Sequence, residues 1–288
     1  MICEDIQNQH HELSIEQACH LAGVSRHAYV NWVIRPPIEI DSLTPLIKQI
    51  ADENKSYGYR TITHELERRE RKANHKRVLK IMQTEGITGK IKQSKIHTTN
   101  SNHNLRTYPN LIKSLIVVGL NKVWTSDITY IRLANGTLVY LSVIMDRFSR
   151  KFLGWQLSYN IDAQLCIDAL KMAFKERERE DLSELIHHSD QGVQYASNEY
   201  VTELEKRGIR ISMSRKGNPY DNAHMERAIK TIKYEEVYMD EYQSFSDAYN
   251  NIKHFIEEVY NKKRLHSAIG YKPPAEFEQQ YSVKEVVA

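Results

Sequence analysis

Between residues 123 and 157 the chain turns to β-branched and aromatic residues, and this stretch restricts the possible folds more than any other. Residues 123–132 and 138–149 each read as a strand. Asn135-Gly136 between them is the strongest short hairpin signal, and residues 152–157 give a third strand. A helix follows with Leu165, Ala169, Met172 and Ala173 on one face. Residues 185–189 then read as a short strand, 198–206 as a helix and 209–212 as another strand. Three antiparallel strands followed by alternating helices and strands predict an α/β core, a mixed sheet flanked by helices.

The preceding third of the chain has helical texture instead. Ile15, Ala18, Leu21 and Ala22 share one face, Gly23-Val24-Ser25 breaks the run, and Ala28, Tyr29 and Trp32 resume it. Ser14 with Gln17 makes a capping box, and Ser25 can cap the second helix. This is a helix-turn-helix pattern whose second helix presents Arg26, His27 and Asn31 outward. After Pro36-Pro37, three short helices fit residues 42–89, with Asn74 as a cap and Gly86 as a stop. Their stripes are Leu43, Leu46, Ile47, Ile50 and Ala51, then Ile62 and Leu66, then Val78, Leu79 and Met82. Tyr57-Gly58-Tyr59-Arg60 falls in a turn between them.

Charge gives these helices a partner. Residues 55–113 hold fourteen Lys and Arg against four Asp and Glu, although the net charge of the whole chain is only +3. Such a basic block beside a near-neutral remainder is the footprint of a polyanion binder, because each phosphate it neutralises releases condensed counterions. Tyr59, Arg60, Lys76 and Arg77 are the expected DNA contacts of this module, and Arg26 and His27 those of the first. The boundaries read from the sequence are a helix-turn-helix segment at 1–37, a second helical module at 42–91, a basic linker at 92–118, and an α/β core with a C-terminal helix at 119–281.

Other classes drop out. No apolar run approaches the roughly 18 residues a bilayer span needs, and the acidic, polar N-terminus lacks a secretory apolar region, so no membrane role and a cytoplasmic place are expected. The three cysteines, Cys3, Cys19 and Cys166, form no C-x-x-C pair, and the spacing of His10, His11, Cys19 and His20 suits no zinc finger.

Three acids carry the chemistry. Asp127 is expected near the middle of the first strand, Asp190 just past a later strand, and Glu226 at a helix start, with thirty-five residues between the last two. Hard divalent cations take oxygen ligands, and three adjacent carboxylates make physical sense chiefly when cations neutralise them. Glu226, Lys230 and Lys233 stand at i, i+4 and i+7 of one helix, so an acid and two phosphate clamps share a stripe. His188-Ser189-Asp190 is no hydrolase triad, because Ser189 points away from its neighbours. His188 either orients the site or packs, Asp146 and Arg150 are expected to form a salt link or cap, and the stretch 264–274 either touches DNA or closes the domain. Phe245, Ala248, Tyr249, Ile252, Phe255, Ile256 and Val259 form a buried helical stripe.

In Trp124-Thr125-Ser126-Asp127, His188-Ser189-Asp190-Gln191-Gly192, Gly217-Asn218-Pro219-Tyr220-Asp221-Asn222 leading to Glu226, and Tyr260-Asn261-Lys262-Lys263-Arg264-Leu265-His266, the chain resembles the integrase-like DDE transposases of bacterial insertion sequences. The match is to the second-frame product of the IS3 family, related to retroviral integrases, and it spans nearly the whole sequence. The resemblance implies a ribonuclease H-like core preceded by helix-turn-helix modules. It implies that Asp127, Asp190 and Glu226 bind two Mg²⁺ or Mn²⁺ ions, and that water or a DNA 3′-hydroxyl attacks a phosphodiester without a covalent protein intermediate. Expected partners are insertion-sequence ends, target DNA, further copies of the chain on paired ends, and an upstream-frame protein as partner or fusion, all at the bacterial nucleoid. The rival readings are a non-catalytic DNA-binding regulator, such as a domesticated copy, and a stand-alone ribonuclease H-like nuclease that hydrolyses but does not join.

Overall fold

The computed structural model describes residues 14–33, 41–87, 105–215 and 219–287. Cys3, His10, His11, Pro36-Pro37, the linker before residue 105 and Lys216-Gly217-Asn218 lie outside the described residues. The chain divides into two compact units, Met1–Gln49 and Ile50–Ala288.

In the first unit, α1 (Ile15–Leu21) and α2 (Arg26–Val33) form a helix-turn-helix. Ser14 and Gln17 close the capping box, and Ser25 Oγ accepts the Ala28 amide at 3.1 Å. Gly23 makes the turn at φ +65°, a conformation that costs glycine nothing. The buried face differs from the expected stripe: Ala18 and Cys19 are buried, whereas Ile15 and Leu21 are 43% and 64% exposed. Neighbouring helical positions lie about 100° apart, so Cys19 and Leu21 stand on opposite edges of the expected stripe, and the buried face includes the Cys19 edge instead of the Leu21 edge. α3 (Thr44–Glu53) follows.

The second unit begins within α3, at Ile50, and continues with α4 (Tyr59–Arg68) and α5 (His75–Thr84), which bury Ile62, Leu66, Val78, Ile81 and Met82. Asn74 caps α5 by accepting the Lys76 amide, and Gly86 turns out of it at φ +66°. Gly58 is the N-cap of α4, so Tyr59 and Arg60 belong to its first helical turn rather than to the preceding loop. Tyr57 is buried, and its hydroxyl accepts the Leu265 amide at 3.0 Å, tying the helical module to the far end of the chain. Tyr57→Phe leaves that buried amide without an acceptor, so urea unfolding should report a loss of about 2 kcal/mol.

The sheet runs β3-β2-β1-β4-β5, with β1 (Val123–Arg132), β2 (Leu138–Asp146), β3 (Phe152–Ser158), β4 (Ile186–Ser189) and β5 (Arg210–Met213). β1, β2 and β3 pair antiparallel, and β4 lies parallel to both β1 and β5. This is the mixed five-stranded sheet of a ribonuclease H-like core. The hairpin is looser than Asn135-Gly136 alone implies: it spans residues 133–137, closed by the Leu133 amide on Thr137 O, with Gly136 at φ +85°. β2 stops at Asp146, short of residue 149, because the Asp146 carboxylate accepts the amides of Phe148 and Ser149 and turns the chain.

One face of the sheet buries α9 (Ala223–Ile232) and α10 (Phe245–His254), whose wider π turns continue to Val237 and Tyr260 respectively. The expected stripe of α10 packs there, with Ala248, Ile252, Phe255 and Ile256 fully buried. The other face buries α6 (Ala163–Glu176), α7 (Val193–Ala196) and α8 (Asn198–Glu205). On α6, Leu165, Ala169 and Ala173 face inward as expected, but Met172 is 36% exposed, and its sulfur accepts the Trp155 amide. α11 (Pro274–Val287) clasps the unit: Glu276 pairs with Arg68 of α4 at 2.7 Å, and Glu278 takes the Ser149 hydroxyl and the Arg177 guanidinium. Among the described residues no helix is long and apolar enough to cross a membrane.

Candidate active site

Side chains alternate along a strand, so Thr125, Asp127 and Thr129 of β1 share the sheet face that carries α9. Thr125 is in register with His188 on the parallel neighbour β4. Two residues further along both strands stand Asp127, half-buried in mid-strand opposite Val143, and Asp190, just past the end of β4. Glu226 enters from the first turn of α9. Asn222, the N-cap of that helix, is buried and donates its side-chain amide to Ser126 O at 3.2 Å, which pins the start of α9 beside Asp127. The sequence marks Asn222 only as part of a motif, since nothing in it tells a pinning amide from a polar loop residue.

The electrostatics report the same convergence. Desolvation is the largest influence on the Asp127 carboxyl, followed by the charge of Asp190 and, more weakly, that of Glu226, and together they push it up to about 8. Lys233 opposes them. It opens the π turn after α9, and its ammonium lies 4.1 Å from the centroid of the Tyr130 ring, where burial lowers its own pKa and Asp127 raises it. Lys230, by contrast, is exposed. The two lysines of the expected stripe thus have different surroundings, one against the acids and one toward solvent.

Bare carboxylates repel, and each of the two aspartates leans on a backbone amide. Asp127 accepts the Ile128 N–H at 2.8 Å and Asp190 the Gly192 N–H at 2.9 Å. Among the described residues, no three His, Cys, Asp or Glu side chains are gathered closely enough to hold one ion together. The donor set nonetheless suits a hard divalent cation: it is all oxygen, and a carboxyl held near 8 carries a proton at neutral pH that a cation can replace.

His188 is locked rather than poised. Its two ring nitrogens lie 2.8 Å from Ser212 Oγ and 3.0 Å from Ser214 Oγ, and burial with the nearby Arg147 charge holds it neutral, at about 4. Asp146 is the cap it was expected to be, accepting the amides of Asn121, Phe148 and Ser149. The stretch 264–274 closes the domain: Arg264 forms a bidentate pair with Glu235, both bonds 2.7 Å, and His266 bridges Lys272. Asp221 pairs with Arg215, which lowers it to about 2. Of the other expected DNA contacts, Arg26, His27, Arg60, Lys76 and Arg77 are exposed, and Arg60 stacks over the half-buried Tyr59 ring at 4.8 Å. Arg26 and His27 belong to the first unit, and the other four lie in the second.

A raised carboxyl has a stability signature. Folded Asp127 holds a proton that the unfolded chain releases near 3.8, so its contribution falls as pH rises toward about 8. Buried His187, held at about 3, and His188 act oppositely, but only below their ordinary value of 6.5. Between pH 6.5 and 8.5 the metal-free Tm should therefore drop by about 5 °C, Asp127→Asn should flatten that slope, and Mg²⁺ should reverse it.

A family model described as "Integrase core domain" matches residues 119–219, a second with the same description matches 207–274, and one described as "HTH-like domain" matches 39–95. The transposase for insertion sequence element IS904 of Lactococcus lactis subsp. lactis is 40% identical over 248 residues, 85% of this chain and 96% of the relative. Transposase InsF for insertion sequence IS3A of Escherichia coli K12 is 30% identical over 283 residues, 96% and 97% of the two chains. Among solved structures, the HTLV-2 integrase catalytic core domain in complex with magnesium aligns over 55% of this chain and 96% of its own length, with 16% identity and a TM-score of 0.42. With relatives matched almost end to end, and with an integrase core following an HTH-like domain, the chain belongs to the IS3 family of insertion-sequence transposases.

Proposed function

We propose that this chain is a DNA transposase that uses divalent metal to cut insertion-sequence ends and to join their 3′-hydroxyls to target DNA, working as a multimer on paired ends. The observation that carries the reading is the Asp127 carboxyl, in mid-strand of an integrase core, under the charges of Asp190 and Glu226. Asp127, Asp190 and Glu226 are the residues that would hold Mg²⁺ or Mn²⁺. A bound pair of such ions supplies activation of the attacking oxygen and charge stabilisation at the scissile phosphate.

The chain's own residues do the rest. Asn222 fixes where α9 begins and hence where Glu226 points. Lys233 offsets one negative charge beside Asp127, and exposed Lys230, one turn after Glu226, is placed to meet a backbone phosphate. The helical modules, with Arg26, His27, Tyr59, Arg60, Lys76 and Arg77, bind the ends, and an upstream-frame protein supplies further end recognition as partner or fusion. The test is strand transfer by the full chain on a duplex carrying the element's terminal repeat, with and without Mg²⁺. Metal-dependent joined products are expected. Hydrolysis without joining would leave a nuclease, and binding without cleavage a DNA-binding regulator.

A further inference from the structure

At the turn that ends β2, a cavity of about 280 Å³ lies between Val117, Phe148 and Ile269, with Arg147, Arg150 and His224 on its wall. That is about nine times the volume a water occupies. Arg150 is the unusual residue. Its backbone sits at φ +67°, a left-handed conformation that is strained for a non-glycine residue. Its Nε and Nη1 are buried and make no hydrogen bond.

The neighbouring charges do not relieve it. Arg227, one turn beyond His224 on α9, adds a third guanidinium, and all three arginines act on His224. Among the described residues none of the three forms an ion pair: the Asp146 carboxylate, though close to Arg150, is used by three backbone amides, and Glu278 is taken by Arg177 and Ser149. Burying unpaired guanidinium nitrogens is costly, and a strained backbone holds them there. Converging donors with no internal acceptor fit a tetrahedral oxyanion, and guanidinium forks match its geometry.

We infer that Arg147, Arg150 and Arg227 form a seat for one backbone phosphate of bound DNA, beside the helix turn that carries Glu226. This rests on the transposase reading for its choice of DNA over a free anion. A seat of this kind positions the duplex without reading its sequence.

The test measures binding of the full chain, without divalent metal, to a terminal-repeat duplex and to a duplex of unrelated sequence over a range of salt. Arg150→Gln and Arg227→Gln should each weaken binding about tenfold on both duplexes and make the salt dependence shallower by about one. Arg227 is exposed, so its variant separates lost contact from lost folding, and Arg150→Lys should recover part of the affinity. Wild-type affinity and salt slope in both glutamine variants would overturn the inference. So would a loss confined to the terminal-repeat duplex, which would mean base reading. If inorganic phosphate raises the Tm of the wild type but not of the variants while DNA binding is unchanged, the pocket takes a free anion and the DNA assignment fails. A wild type that binds both duplexes but never joins ends with Mg²⁺ would sink the transposase reading and leave the seat standing.

Discussion

Asp127→Asn, Asp190→Asn and Glu226→Gln should each reduce strand transfer by about a thousandfold or more, while binding to end DNA stays within about threefold. Each change keeps side-chain volume and takes one carboxylate from the proposed divalent site without opening a cavity. For Asp127 the control is built in. An amide imitates the protonated carboxyl that burial and Asp190 already favour, so Asp127→Asn should fold at least as well as the parent above pH 7 while losing activity. Gel assays of joined products, run beside melting curves, separate the two effects. Full activity in any of the three variants would remove that acid from the chemistry.

Gly154→Val should prevent the core from folding, at a cost of about 3 kcal/mol or more. Strand β3 crosses α6 so closely at this position that a Cβ would lie 2.0 Å from Ala169 O and 2.8 Å from Ala173 N. Both are backbone atoms of a helix whose neighbours are fully buried, so no side chain can swing aside. Gly136 gives the contrast. It has nothing within 4 Å of its would-be Cβ but sits at φ +85°, so Gly136→Ala should cost only about 1 kcal/mol. Denaturant unfolding, or the soluble yield where the variant does not fold, reads both. A Gly154→Val chain as stable as the parent would mean that β3 and α6 do not pack as described.

How far the sequence reached depends on how local each signal is. The hairpin of β1 and β2 was legible because β-branched runs and a turn dipeptide lie within a few residues of one another. The helix caps Ser14 and Asn74 were legible for the same reason. Asp127, Asp190 and Glu226 could be placed on their elements because each sits at a strand middle, a strand end or a helix start. Tyr57 reads from sequence only as part of a turn in the basic module, but its hydroxyl partner is Leu265, 208 positions away, and no local pattern encodes that contact. Lys233 fits an outward i, i+7 stripe only while the helix stays α. The π turn that begins there and the Tyr130 ring beneath it decide otherwise. Arg150 reads as half of a salt link until the structure shows the Asp146 carboxylate taken by three backbone amides and Arg150 lining a pocket.

The helix α11 engages segments separated by much of the chain: Arg68 through Glu276, and Ser149 and Arg177 through Glu278. During synthesis all three wait on the ribosome for a strap that emerges after them. Helices α4 and α5 and the sheet are joined earlier through Tyr57 and Leu265, and α11 buckles them last. A frameshift or stop between residues 266 and 274 should then release a protein that keeps the Tyr57–Leu265 tie but lacks this latch.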